Sequence, residues 1–111
     1  MAKVQETTAD SIDLPIQEIG ELCRKHKVAD LAVFGSALRE DFQEDSDIDF
    51  LVRFEPGADK PWLGHFQDLQ DELSHLLGRS VDLVSRTAIE QSRNWIRRKA
   101  ILDSARVIYA T

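Results

Sequence analysis

Residues 31–54 read LAVFGSALREDFQEDSDIDFLVRF, and the order of residue types in this stretch decides the fold. Leu31 to Phe34 are four consecutive apolar residues, the pattern of a strand buried on both faces. Gly35-Ser36 follows, a turn into a short helix over 37–39, and then a polar loop, EDFQEDS. DIDFLVRF, residues 47–54, is a second strand carrying two aspartates. Asp47 and Asp49 are two residues apart, so both side chains project from one face, roughly 6.6 Å apart along the strand. Two carboxylates so placed can converge on a shared pair of metal ions. A glycine-serine turn between strand and helix presents backbone N–H groups of the kind that cradle phosphate. Carboxylates for metal beside a phosphate cradle point to phosphoryl or nucleotidyl transfer.

Outward from this centre the chain alternates helices and strands. Residues 1–12 read as a flexible N-terminal tail and 13–111 as a single domain. Leu14, Ile16, Ile19, Leu22 and Cys23 recur at helical spacing, with Asp13 as N-cap and Pro15 near the first helical position. The basic run Arg24, Lys25, His26, Lys27 closes that helix, where positive charge suits the dipole. Cys23 falls on the apolar stripe as a small core residue. After the second strand, Glu55-Pro56-Gly57 is a turn. Trp62, Phe66, Leu69, Leu73, Leu76 and Leu77 then form the stripe of a second long helix, ended by Gly78. His65 and His75 on that helix read as surface or rim residues. Residues 80–84 are a third strand. The region from Arg86 onward is helical, with a break near Ser92 or Asn94, and 106–109 is a final short strand or a helical end. The order is that of an α/β fold, a small mixed sheet covered by helices.

Composition narrows the function. With 42% hydrophobic and 31% charged residues the chain is an ordinary globular protein. The opening MAKVQETTAD lacks the apolar core of a secretory signal, and no apolar run reaches the roughly 18 residues of a membrane span. One cysteine excludes an internal disulfide, and a cytoplasmic location is expected. A net charge of −6 argues against direct nucleic-acid binding. That charge is unevenly spread. Residues 40–78 hold eleven acids against two bases, whereas 79–111 hold seven bases against three acids. The acidic middle suits cations. The basic end, with Trp95 and Arg97-Arg98-Lys99, suits either an acidic partner or a solvated helix face.

Asp82 lies in the middle of the third strand, and if the second and third strands are neighbours it stands beside Asp47 and Asp49. Oxygen-only ligands select Mg²⁺ or Mn²⁺ over Zn²⁺. Two such ions about 3.5–4 Å apart can bind the attacking and leaving oxygens of an in-line displacement. The spacing Asp45-x-Asp47-x-Asp49 also mimics the start of a calcium loop. That alternative fails, because Phe50 stands where the loop needs glycine and Pro56 where it needs glutamate.

These residues resemble a known family. Gly35-Ser36, ten residues, then Asp47-Ile48-Asp49 is similar to the G-S-x10-D-x-D signature of the minimal nucleotidyltransferases of the polymerase-β-like superfamily. VFGSALRE and DSDIDFLV resemble the family's FGSxARG and SDIDLLV, the later VDLV supplies a third carboxylate at Asp82, and IRRKAILDSARVIYA resembles its closing helix and strand. The resemblance implies a polymerase-β-like fold with two Mg²⁺ ions, Mn²⁺ able to substitute, held by Asp47, Asp49 and Asp82. It implies that Asp82 helps deprotonate the attacking hydroxyl, and that Gly35, Ser36 and Arg39 bind the phosphates of ATP. Glu40 departs from the pattern, standing where the family has glycine. No acceptor-binding domain is expected, so the acceptor is expected to be a partner with its own binding surface or a small molecule gripped by the few loops. Small members of the family are antitoxins, paired with a HEPN ribonuclease toxin and transferring AMP to a toxin tyrosine. A hetero-oligomer with such a toxin is therefore expected. Two other readings stay open: an antitoxin that acts by occlusion with weak or no catalysis, and a transferase for small molecules of the aminoglycoside kind.

Overall fold

The two strands of the deciding stretch are the central pair of a four-stranded sheet. The computed structural model describes residues 8–9, 12–35, 47–58, 60 and 63–111. Strands β1 (Thr8–Ala9) and β2 (Ile12–Asp13) pair antiparallel across the boundary between the stretch read as a tail, 1–12, and the domain. Helix α1 (Ile16–Lys25) follows, then β3 (Val28–Phe34), β4 (Ile48–Phe54) and α2 (His65–Leu77). The chain continues through β5 (Val81–Ser85), α3 (Arg86–Glu90), α4 (Trp95–Ser104) and β6 (Arg106–Ala110). The sheet order is β5-β4-β3-β6. β3 runs antiparallel to β4 and β6, whereas β4 and β5 are parallel, so the sheet is mixed. A parallel pair needs a crossover, and α2 supplies it.

Alternation along the strands sends side chains into two cores. Leu31, Val33, Phe50 and Val52 meet Ile19 and Cys23 of α1 and Leu69 and Leu73 of α2 on one face. On the other, Ala32, Phe34 and Leu51 meet Ile89 of α3 and Ile101 of α4. Both faces of β3 and β4 are thus covered, which is why these strands read as nearly unbroken apolar runs. The edge strand β5 is partly closed by α2, whose Gln70 side chain accepts from the Leu83 N–H at 3.1 Å.

The sequence reading needs correction at several elements. Asp13 does not cap α1. It lies in β2 opposite Thr8, the helix starts at Ile16, and Pro15 occupies the cap position with no side-chain bond. His26, read as part of the basic run closing α1, is 4% exposed. Its Nδ1 faces His65 Nδ1 at 3.0 Å and its Nε2 faces Glu72 Oε1 at 2.9 Å, which ties the end of α1 to α2. His65 is accordingly half-buried. Phe66 and Leu76 lie on the exposed side of α2. The break after Arg86 occurs at 91–94, and the last segment is a strand, since β6 finds an open edge on β3. Trp62 and the expected helix over 37–39 fall outside the described residues. Among the described residues no helix is long and apolar enough to cross a membrane.

Candidate active site

The strand register places the candidate residues. Asp49 and Asp82 are direct partners across the parallel ladder of β4 and β5. They therefore share a face, the one packed against α3 and α4. Asp49 is half-buried and Asp82 exposed. At the end of β3, Phe34 is the register partner of Asp49, so Gly35 arrives directly over that carboxylate. Gly35 has φ 76, and a Cβ built on it would press into Asp49 Oδ2. Only glycine lets the backbone turn left-handed here while lying against the carboxylate. The Gly35 turn and the Asp49 carboxylate are thus in close contact.

Asp47 is less firmly placed than the alternating pattern predicts. β4 begins at Ile48, anchored by its N–H to Ser80 O at 3.1 Å, so Asp47 precedes the ladder and is exposed. Among the described residues no three His, Cys, Asp or Glu side chains are grouped closely enough to hold a metal ion. The tight three-aspartate cluster expected from sequence is therefore, in the structure, a registered pair with Asp47 one step outside. The oxygen-only donor set and the Gly35 turn still fit Mg²⁺ or Mn²⁺. Ser36, Arg39 and Glu40 lie outside the described residues.

Asp49, Asp82 and Gly35 from the sheet line an open cavity of about 410 Å³ together with Arg97, Ile101 and Ser104 of α4. A cavity of this size takes a small ligand of nucleotide scale. Of these α4 residues the sequence marks Arg97, but as part of a basic run suited to an acidic partner or a solvated helix face and not as a site residue. Residues 97, 100, 101 and 104 are spaced i, i+3, i+4, i+7, one helical face, but nothing in the sequence says which face meets the carboxylates.

The opposite end of the same sheet face carries a second polar group that sequence reading missed. Asp30 is 7% exposed and is the register partner of Arg53, which holds Asp30 Oδ2 through Nε at 2.7 Å and Nη2 at 2.5 Å. Arg86 Nη1 lies 3.8 Å from the other oxygen. This group braces β3 to β4 and α3, away from the carboxylate pair.

Comparison with known proteins assigns this arrangement. The nucleotidyltransferase domain family matches residues 17–108, and the chain belongs to that family. MJ0128 of Methanocaldococcus jannaschii, named as a candidate protein adenylyltransferase, is 43% identical over 83 residues, covering 68% of this chain and 82% of the relative. The protein adenylyltransferase MntA of Thermococcus cleftensis is 38% identical over 85 residues, covering 69% and 83%. Among solved structures, a candidate minimal nucleotidyltransferase superposes with a TM-score of 0.64 at 34% identity, over 82% of this chain and 86% of that one. A toxin–antitoxin complex solved with AMP-PNP gives 0.65 at 22% identity, over 88% and 75%, a likeness of fold. The chain is thus a nucleotidyltransferase of the minimal, polymerase-β-like kind.

Proposed function

We propose that this chain is an antitoxin that transfers AMP from Mg-ATP to a tyrosine hydroxyl of a cognate HEPN ribonuclease toxin, silencing it in the cytoplasm. The observation that carries the reading is the registered pair Asp49–Asp82 beside the Gly35 turn, lining one open cavity. Relatives named as protein adenylyltransferases support the protein acceptor. Support for the toxin comes from a neighbour in fold, an MNT antitoxin of Shewanella oneidensis in complex with a tri-AMPylated HEPN toxin, at 20% identity and TM-score 0.55 over 86% of this chain and 70% of that one.

In this mechanism Asp49 and Asp82, with Asp47 just before the strand, would hold Mg²⁺, which would supply neutralisation of phosphate charge. Gly35 and Ser36 bind the phosphates through the turn and Arg39 adds a cation. The tyrosine oxygen forms a bond to the α-phosphorus, the bond from that phosphorus to the bridging oxygen breaks, and pyrophosphate leaves. Asp82, the exposed member of the pair, accepts the tyrosine proton. A free phenol ionises near pH 10, so removal of that proton is work the site has to do.

The test incubates this protein, Mg²⁺ and α-labelled ATP with the toxin encoded beside it. Label on toxin tyrosine is expected, together with loss of label in Asp49→Asn and Asp82→Asn. A wild-type protein that protects cells while leaving the toxin unlabelled would establish occlusion instead.

A further inference from the structure

We infer that Arg97 of α4 is a nucleotide-binding residue whose guanidinium takes the triphosphate of ATP in the cavity it shares with the carboxylates. The inference rests on the adenylyl-transfer reading above and extends it to a residue outside the Gly-Ser and Asp-x-Asp motifs. α4 carries three consecutive cations, and their environments differ. Arg98 is half-buried and donates from Nη1 to Ser92 O at 2.6 Å, which closes the turn between α3 and α4. Lys99 is paired along the helix with Asp103 at 2.8 Å. Arg97 alone of the three lines the cavity that also contains Gly35, Asp49 and Asp82. Its backbone is fixed, since its N–H is capped by Asn94 Oδ1 at 3.1 Å, while its guanidinium has no ion-pair partner among the described residues. One helical turn on, Ile101 is buried in the core beneath α4, so the cavity face cannot rotate away without unpacking the helix.

The chemistry then divides between the sheet and α4. Carboxylates suit metal and cannot themselves bind a triphosphate, which carries up to four negative charges. A guanidinium forms two parallel hydrogen bonds to a phosphate group and keeps its charge at every relevant pH. Arg97 is the charged group of opposite sign lining the same cavity. A purely structural cation, present to offset Asp49 and Asp82, would influence stability without contributing to nucleotide affinity.

The experiment measures Mg-ATP binding by titration calorimetry for the whole protein, without any acceptor, in the wild type, Arg97→Ala, Arg97→Lys and Arg93→Ala. Arg93 is also exposed and precedes α4, but does not line the cavity, so its removal controls for net charge. Arg97→Ala is expected to weaken Mg-ATP binding about 10- to 100-fold, the loss of a charge-assisted phosphate contact. Arg97→Lys should recover part of that loss, and Arg93→Ala should stay within about twofold. In adenylylation assays the Arg97→Ala defect should appear in KM for ATP and leave KM for the toxin unchanged. Equal affinity in wild type and Arg97→Ala overturns the assignment while leaving AMP transfer standing, and so does an equal loss in Arg93→Ala. A lower melting temperature of nucleotide-free Arg97→Ala with unchanged ATP affinity marks the structural role and overturns it as well. Wild-type protein that binds no ATP at all removes both the assignment and the reading it rests on.

Discussion

The glycine that ends β3 and the two aspartates beneath it form one local compromise. Like charges directly opposite on adjacent strands repel, at a cost of about 0.2–1 kcal/mol in a partly solvated sheet. Asp49 and Asp82 are such a pair, so stability is given up for a site. Asp82→Asn should therefore raise the melting temperature of metal-free protein by about 2–4 °C while abolishing transfer. Calorimetry in EDTA checks the first part, and a decrease there would show that the pair does not repel. Millimolar Mg²⁺ should raise the wild-type melting temperature and do little for Asp82→Asn, since only a bound ion stabilises by mass action. Gly35→Ala acts in the opposite direction. The left-handed backbone costs a side-chain-bearing residue about 1–2 kcal/mol, and the new methyl must displace the Asp49 carboxylate. Urea denaturation should show at least that loss, accompanied by a fall in transfer that Mg²⁺ does not restore. A Gly35→Ala protein with wild-type stability would mean that the turn relaxes without cost.

At the level of elements, α2 serves both the sheet and the edge of the site. Leu69 and Leu73 are fully buried, and Gln70 from the same helix holds β5 in place. Leu73→Ala is expected to cost about 2–5 kcal/mol, with loss of transfer only as the fold itself is lost. The polar brace under β3 is more selective. Arg53 makes two short contacts to one oxygen of Asp30, whereas Arg86 lies 3.8 Å from the other, which is buried without a hydrogen-bond partner. Arg53→Ala should destabilise by about 1–3 kcal/mol, because it leaves a buried carboxylate poorly paired, and Arg86→Ala by less. Equal effects of the two in chemical denaturation would contradict this ranking. These elements also show what sequence can and cannot reveal. The central strands β3, β4 and β5 and the break at 91–94 follow from short-range pattern and composition, whereas β1 and the start of β2 read as a tail and the Asp49–Asp82 pairing depends on β4 and β5 being neighbours. The burial of Asp30 and His26 does not, because each is decided by residues 23 to 56 positions away that only the fold brings near. The face that α4 turns to the cavity is hidden for the same reason, since Trp95 and Ile96 are apolar yet 61% and 64% exposed.

Across the whole molecule, charge and burial set the range of pH in which the site stays built. On the acid side Glu72 is held below its ordinary value, first by its hydrogen bond from Lys25 and then by His26. Its contribution is present above the ordinary 4.5 and is lost as pH falls through the lowered value. On the alkaline side the group is Cys23. Its side chain is wholly inside the core between α1 and the sheet. Burial pushes the thiol from 9.0 up to about 12, against a small opposing pull from Arg24. A raised value means that the unfolded chain releases its proton first, so the contribution is complete below pH 9 and declines as pH climbs toward 12. The decline should approach roughly 1 kcal/mol per pH unit. Urea denaturation of wild type and Cys23→Val from pH 8 to 11 tests it, because valine fills similar space and carries no proton. Wild type should lose stability more steeply than the variant above pH 9, and native Cys23 should resist thiol reagents at pH 8 until urea opens the core. Parallel stability curves for the two proteins, or rapid labelling of the folded chain, would show that this thiol does not titrate as a buried group.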